Sequence, residues 1–496
     1  MPTTTPHHDL VLSGVPEGLD ALVLAHAVAG AATKDSAGTT LAGTVLHIAR
    51  DDRRLDALEQ ALAFFAPDVK VIPFPAWDTV PYDRVGPNAE IVAKRITALA
   101  KLALSSRKEP TVVLTTVNAI LQRVPPHSFI RQSLKPMAAG QRVDRTRLIE
   151  RLEQAGFTRS SAVMEAGEYA VRGGIVDIFP PGRQSPVRLD FFGDTLESVK
   201  AFEPQSQRTT KPVQKLVLMP ISEVAFGEQP VAEFRRRYVA LFGGATGDDP
   251  LYEAVSAGRR YPGQEHWLPL FHGKLETLFD YLPGVTVSFD HLAEEQLKRR
   301  FEQIKEHYDA RVEAREAKSF GGAPYKPVPP AEMFLDGNSW NAALAAHPLR
   351  RLTPFEVAAA ENVRSLGGRQ GRQFTAERQN PDLNVFDAVV EHVRRQQASN
   401  RRVVIATWTP GARERLQSLL ADHGLKDIRK VESYHEALGL SAGHTALVVL
   451  GIEQGFETPD LVVMGEQDIL GDRLVRPRRK PRPAAHVLVE ATRLAV

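Results

Sequence analysis

The stretch from Gly167 to Arg208, GEYAVRGGIVDIFPPGRQSPVRLDFFGDTLESVKAFEPQSQR, constrains the fold more than any other part of the chain. From Val187 to Phe192 the order Val, Arg, Leu, Asp, Phe, Phe has the period of two of a half-buried strand. Val187, Leu189 and Phe191 share one face, and Arg188, Asp190 and Phe192 the other. Gly193-Asp194 supplies a turn, and Leu196 to Phe202 reads as the returning strand of a hairpin. A face carrying a guanidinium, a carboxylate and an aromatic ring has two readings. Either Phe192 is covered by another element of its own domain, or Arg188 and Phe192 form an exposed hot spot for a protein partner. The parity of Arg172 is open, because Gly173-Gly174 can introduce a bulge.

The rest of the chain reads as several further units. At about 100 to 200 residues per domain, 496 residues predict three or four domains. Hydrophobic residues make up 43% and the formal charge is +2, which excludes a disordered chain and a generally basic nucleic-acid binder; any basic patch is local. Zero cysteines exclude disulfides, thiolate metal sites and a cysteine nucleophile, and favour a reducing compartment. The start, MPTTTPHHDLVLSG, lacks a basic segment followed by an apolar run, and no 18-residue apolar stretch occurs later. A soluble cytoplasmic protein is expected, with no membrane contact and a monomer as the default state.

Before the hairpin, the strand-prone runs Thr44 to Ala49, Val69 to Pro73 and Thr111 to Thr115 alternate with helical patterns at Asp56 to Phe65 and Ala89 to Leu104. In the second helix Val92, Ile96, Leu99 and Ala103 form an apolar stripe, with Glu90 and Lys94 paired outside. This alternation predicts an α/β domain with a largely parallel sheet. Arg145 to Ala155 is helical and leads into the strand-rich stretch. Beyond Arg208 come a strand at Gly284 to Phe289, a helix at Leu292 to Arg315 and a Gly/Pro loop at Gly321 to Pro330. A new α/β unit starts near Phe374, with a helix at Asn384 to Gln397 and strands at Val403 to Thr407 and Ala446 to Leu450. At the end, Arg473, Arg476, Arg478, Arg479, Lys480 and Arg482 are interleaved with prolines, which reads as an exposed basic linker; contacts of these cations with DNA phosphates are the second reading.

GEYAVRGGIVDIFPPG and PVRLDFFGDTLESVKAFEPQSQRT resemble the partner-binding module shared by the excinuclease subunit UvrB and the bacterial transcription-repair coupling factors. FPAWDTVPYDRVGPNAEIVAKRITAL (Phe74 to Leu99), GRRYPGQEHWLPLF (Gly258 to Phe271) and GEQDILGDRL (Gly465 to Leu474) are similar to the coupling factors, so the resemblance covers most of the chain. It implies a multidomain α/β protein: a degenerate helicase-like lobe of the P-loop NTPase type in two segments, 1–131 and 220–370, with an inserted small α+β domain at 132–219 that binds UvrA. A separate α/β domain at 371–475 and the basic linker at 476–496 follow. By carry-over, Arg172, Arg188 and Phe192 occupy the positions that contact UvrA.

A P-loop needs G-x-x-x-x-G-K-[ST], so that amides cradle phosphate, lysine neutralises it and a hydroxyl holds magnesium. Where UvrB carries that motif, Ser13 to Ala27 reads SGVPEGLDALVLAHA. Gly14 and Gly18 remain as turn residues, but Leu19 and Asp20 replace the lysine and the hydroxyl. An aspartate there repels phosphate, with no cation expected to compensate. The strand ending at Phe289 is followed by Asp290-His291 rather than Asp-Glu. The 15 histidines include no metal-type spacing, and there is no nucleophile elbow or dinucleotide fingerprint. No catalytic residue, metal site or cofactor is assigned. Trp77 to Glu90 runs straight into a helix without room for the aromatic hairpin by which UvrB grips DNA, so Trp77 and Tyr82 read as core or loop anchors.

The resemblance further implies that the sequence is the N-terminal part of a longer ATP-dependent DNA translocase. The longer protein would displace RNA polymerase and recruit excision repair, with ATP and magnesium bound in helicase domains beyond Val496. A following domain would mask the UvrA-binding face. The expected role of these residues is a non-catalytic adaptor. The alternatives are a UvrB-like damaged-DNA-binding fragment and an ATPase with an unrecognised nucleotide site.

Overall fold

Short β-branched runs buried on both sides and separated by amphipathic helices build a parallel sheet first. Its opening strands are β1 (Asp9–Ser13), β2 (Thr44–Ala49), β3 (Lys70–Phe74) and β4 (Thr111–Thr116). Every residue of β4 is buried, as expected where helices cover both faces. Between them run α1 (Leu19–Gly30), α2 (Asp52–Phe65) and α3 (Ala89–Ala103). In α3 the stripe Val92, Ile96, Leu99 and Ala103 is buried, Asn88 caps the first turn, and Glu90 pairs with Lys94 at 3.4 Å. The computed structural model describes residues 9–30, 33–34, 40–41, 43–105, 109–244, 249–317, 325–441 and 443–471.

After β4 the chain leaves this lobe through β5 (Lys135–Met137) and α4 (Arg145–Gln154). It then forms β6 (Thr158–Arg159), β7 (Glu168–Arg172), β8 (Ile175–Ile178), β9 (Val187–Phe192), β10 (Thr195–Phe202) and β11 (Thr209–Pro212). It returns through β12 (Leu216–Leu218), which pairs antiparallel with β5 and closes the excursion at its base. The six strands β6 to β11 lie in sequence order in one sheet. Leu148 and Leu152 of α4 cover one face, packed with Tyr169, Val176, Ile178, Val187, Leu189, Phe191, Leu196 and Val199.

Back in the lobe, β13 (Thr286–Phe289), α5 (Ala293–Glu316), β14 (Leu349–Leu352) and β15 (Val363–Ser365) complete a wholly parallel seven-stranded sheet of order β15-β1-β14-β13-β2-β4-β3. No strand forms between Pro75 and Asn88. Trp77 there donates its indole N–H to Glu223 at 3.1 Å, and Tyr82 is buried.

The chain divides into two units: one runs to Arg369 and includes Ser433–His435, and the other holds the remaining residues. The second unit contains α6 (Val385–Ala398), β16 (Arg402–Thr407), α7 (Pro410–Asp422), β17 (Ile428–Lys430), β18 (Thr445–Val449), β19 (Phe456–Glu457), β20 (Leu461–Gly465) and α8 (Glu466–Leu470). Its strands run in the order β19-β20-β16-β18-β17, parallel except for β19. The Asp468 carboxylate accepts from the amides of Gly455 and Gly465, both at 2.7 Å, and so locks the GEQDIL turn to the preceding loop. No described helix is long and apolar enough to cross a membrane. The molecule is thus α/β with a parallel sheet and several domains.

His47 sits in the middle of β2 opposite Ser288 of β13, its Nδ1 3.2 Å from the Ser288 hydroxyl and its Nε2 buried without a partner. Burial outweighs the attraction of Asp290 and lowers its pKa from 6.5 to about 4. The unfolded chain therefore binds the proton more readily, and stability falls as pH drops through the window from 6.5 to about 4. The native state is expected to lose on the order of 3 kcal/mol there from this residue. His47→Leu should flatten the pH dependence of the urea midpoint between those values. An unchanged slope would refute the assignment.

Candidate protein-binding site

Helix α4 covers one face of the inserted sheet. Register places Arg172, Ile175, Asp190 and Ser198 in one row across β7 to β10 of the opposite face, and Ala170, Asp177, Arg188 and Lys200 in the next. Arg172 therefore shares the face of Arg188, about 10 Å from Asp190 across two strand spacings. Gly173-Gly174 makes no bulge; it is the two-residue turn of the β7–β8 hairpin, with Gly173 at φ 58°. Gly174 approaches β9 so closely that Phe191 N donates to its carbonyl at 2.9 Å, and a Cβ there would lie 2.7 Å from Phe191 O. The irregularity lies instead on β10, where Glu197 is skipped between the pairs Asp190–Ser198 and Phe191–Leu196. Strand β9 keeps strict alternation.

Phe192 is 76% exposed, so the reading in which its own domain covers it is overturned. It stands next to the Gly193-Asp194 turn, at the same end of the sheet as the Gly173-Gly174 turn. Arg172 is exposed, with one Nη donating to Ser161 O at 2.6 Å.

Arg188 departs from the expected free hot spot: its side chain is only 20% exposed. Nε donates to Asp177 Oδ1 at 2.7 Å, Nη2 to Asp177 Oδ2 at 2.9 Å and Nη1 to Gln207 O at 3.2 Å. The guanidinium also lies 4.9 Å from the Phe202 ring centre. Its partner is thus Asp177, one strand over, rather than Asp190 on its own strand. The bond to Asp177 leads the causes that raise the arginine's pKa still further.

At the other candidate site, Gly14 to Gly18 link β1 to α1 with Gly14 at φ 66° and Gly18 at φ 95°. Asp20 is buried; its Oδ1 accepts from the amides of Gly18 at 3.1 Å and Ala21 at 2.9 Å, and its Oδ2 pairs with Arg54. The expectation of an uncompensated aspartate is corrected by Arg54, which comes from the first turn of α2 and is itself buried. Arg54 Nε lies 3.6 Å from Asp290 Oδ1 and 3.7 Å from Glu17 Oε1. Arg50 reaches Glu17 at 2.7 Å and Asp290 at 3.4 Å. Leu19 forms the first residue of α1. A Cβ on Gly14 would lie 2.7 Å from Glu356 Oε1 and 2.9 Å from Gly368 O, and one on Gly368 would lie 2.3 Å from Leu19 Cδ2. The loop amides, the end of β13 and the space above Gly14 are therefore already filled by the protein's own groups.

Arg476, Arg478, Arg479 and Lys480, together with the rest of the expected linker, lie outside the described residues. Sequence reading missed Asp177, Gln207 and Arg54. Each is set in place by strand order or by a contact distant in sequence.

Two families match this chain: the UvrB interaction domain over residues 136–224, and the MFD D3 domain over 396–469. The first range contains the whole six-stranded sheet, and the second most of the second unit's strands. The transcription-repair-coupling factor of Rickettsia bellii is 27% identical over 462 residues, 91% of this chain and 38% of its own length. That of Haemophilus influenzae is 28% identical over 488 residues, 97% of this chain and 40% of its own. That of Escherichia coli is 30% identical over 446 residues, 89% of this chain and 37% of its own. The chain therefore spans 37–40% of the length of these relatives. By both domain matches and along about nine-tenths of its residues, the chain is similar to the transcription-repair-coupling factors.

Proposed function

We propose that this chain is a non-catalytic adaptor that binds the excinuclease subunit UvrA through the face of its inserted sheet opposite α4, with residues 132–219 as the binding domain. The observation that carries the reading is Phe192, 76% exposed at the tip of a sheet face that also bears Arg172 and a held Arg188. An apolar anchor flanked by arginines is the composition of an interface hot spot, and the match to a UvrB interaction domain over 136–224 supports UvrA as its partner. The parallel lobe is in this reading a helicase-like fold whose phosphate loop no longer takes ATP. The family's name supports a role in coupling transcription to repair. RNA polymerase and DNA would be engaged, and ATP and magnesium used, by a longer protein acting as a DNA translocase in the cytoplasm.

The chain is expected to co-elute with UvrA. Phe192→Ala and Arg188→Ala should each weaken binding by about 2 kcal/mol or more, roughly 30-fold, in calorimetric titration. A parent chain that does not bind UvrA, or two variants that bind as tightly as the parent, would refute the adaptor reading.

A further inference from the structure

We infer that Asp177 and Gln207 are positioning residues that hold Arg188 ready for the partner, and that the partner is met by the remaining Nη edge of that guanidinium. The inference rests on the proposed function of this face. An arginine has five N–H donors in a rigid planar fork. Three are committed here: Nε and one Nη2 hydrogen to the two oxygens of Asp177, and one Nη1 hydrogen to Gln207 O. One hydrogen on each Nη is left for acceptor oxygens of the partner.

The holding groups are themselves fixed. Asp177 is 1% exposed and stands directly opposite Arg188 in the β8–β9 register. Gln207 has φ 56°, a left-handed conformation uncommon outside glycine. It keeps that conformation because its amide N–H donates to Glu203 O at 2.8 Å and its Nε2 donates to Val163 O at 3.1 Å and Pro204 O at 2.7 Å. This locally costly backbone aims the carbonyl at Arg188. Beneath the guanidinium, Phe202 is fully buried and packs with Val163 and Ala170. The ring, the aspartate and the carbonyl leave the arginine a single orientation before any partner arrives, which lowers the ordering cost of binding.

A division of labour follows. Arg188 and Asp177 together are neutral, so Arg188 acts through fixed hydrogen bonds and governs dissociation. Arg172 and Lys200, both exposed on the same face, supply net positive charge and govern association and its salt dependence.

The test uses the full chain and UvrA in a double-mutant cycle read by dissociation rate. Asp177→Asn should speed dissociation about tenfold in the parent background and leave it unchanged in an Arg188→Ala background. Gln207→Val, whose branched side chain disfavours positive φ, should act in the same direction and serves if Asp177→Asn unfolds. In the free chain, the Arg188 Nε–H should exchange with water far more slowly than that of Arg172. Equal loss in both backgrounds would make Asp177 merely structural and overturn the inference, as would fast exchange of the Arg188 Nε–H. Failure of the parent to bind UvrA would overturn the proposed function instead, while the exchange measurement would still decide whether Arg188 is held.

Discussion

Glu223→Ala is expected to destabilise the protein by about 3 to 5 kcal/mol, the range found when one partner of a fully buried ion pair is removed. Glu223 lies just past β12, where the inserted domain rejoins the lobe, and both it and Arg95 of α3 have 0% side-chain exposure. Arg95 Nε and Nη2 meet the two carboxylate oxygens at 2.6 and 3.3 Å, Nη1 donates to Pro75 O at 2.9 Å, and the guanidinium stacks 4.3 Å from the Phe74 ring centre. The carboxylate also accepts the Trp77 indole N–H at 3.1 Å, and the Glu223 carbonyl meets His272 Nε2 at 2.9 Å. Alanine would strand a dry guanidinium and an unpaired indole together. Glu223→Gln keeps the shape and some of the hydrogen bonds, so it should lie between alanine and the parent. Arg95→Lys should not behave as a conservative change, because an ammonium cannot reproduce the fork. Urea unfolding followed by tryptophan fluorescence measures all three. A loss below about 1 kcal/mol for Glu223→Ala would refute the view that the Arg95–Glu223 pair pins the insert's return point to the lobe.

Features governed by local periodicity were legible in the sequence. The β9–β10 hairpin follows from alternation broken by Gly193-Asp194, and α3 from its 3.6-residue stripe, because each pattern and its structural cause lie within one element. The candidate site was only half legible. Alternation puts Arg188 and Phe192 on one face, but it cannot show that Asp177 is the neighbour across the ladder, since that depends on strand order. Gly173-Gly174 suits either a bulge or a tight turn, both of which tolerate positive φ, and only the pairing of Arg172 with Ile175 selects the turn. Arg54 is 34 residues from Asp20, and Arg95 is 128 from Glu223. A buried charge finds its partner wherever the fold brings one within reach, and such a choice leaves no local trace.

Arg54→Met should cost about 3 kcal/mol or more, for the same reason expressed in carboxylates instead of a guanidinium. The methionine keeps much of the apolar volume but leaves Asp20, whose remaining partners are two backbone amides, and takes one cation from Asp290, which keeps Arg50. Adding Asp20→Asn to Arg54→Met should recover part of the loss, because the amide removes the unpaired charge while its oxygen can still accept from Gly18 and Ala21. In the proposed reading this ion pair has taken over the loop that in a working NTPase would hold phosphate. Calorimetry of the parent with magnesium and ATP should then give no saturable heat. Writing the motif residues back as Leu19→Lys with Asp20→Thr should gain none either, since Glu356 and Gly368 close over Gly14. Saturable heat from the parent would refute this account. Nucleotide binding gained by the rewritten loop would refute the part assigned to Glu356 and Gly368. If neither variant nor parent binds nucleotide and Arg54→Met is destabilised, the Gly14–Gly18 loop and its ion pair serve as a folding contact.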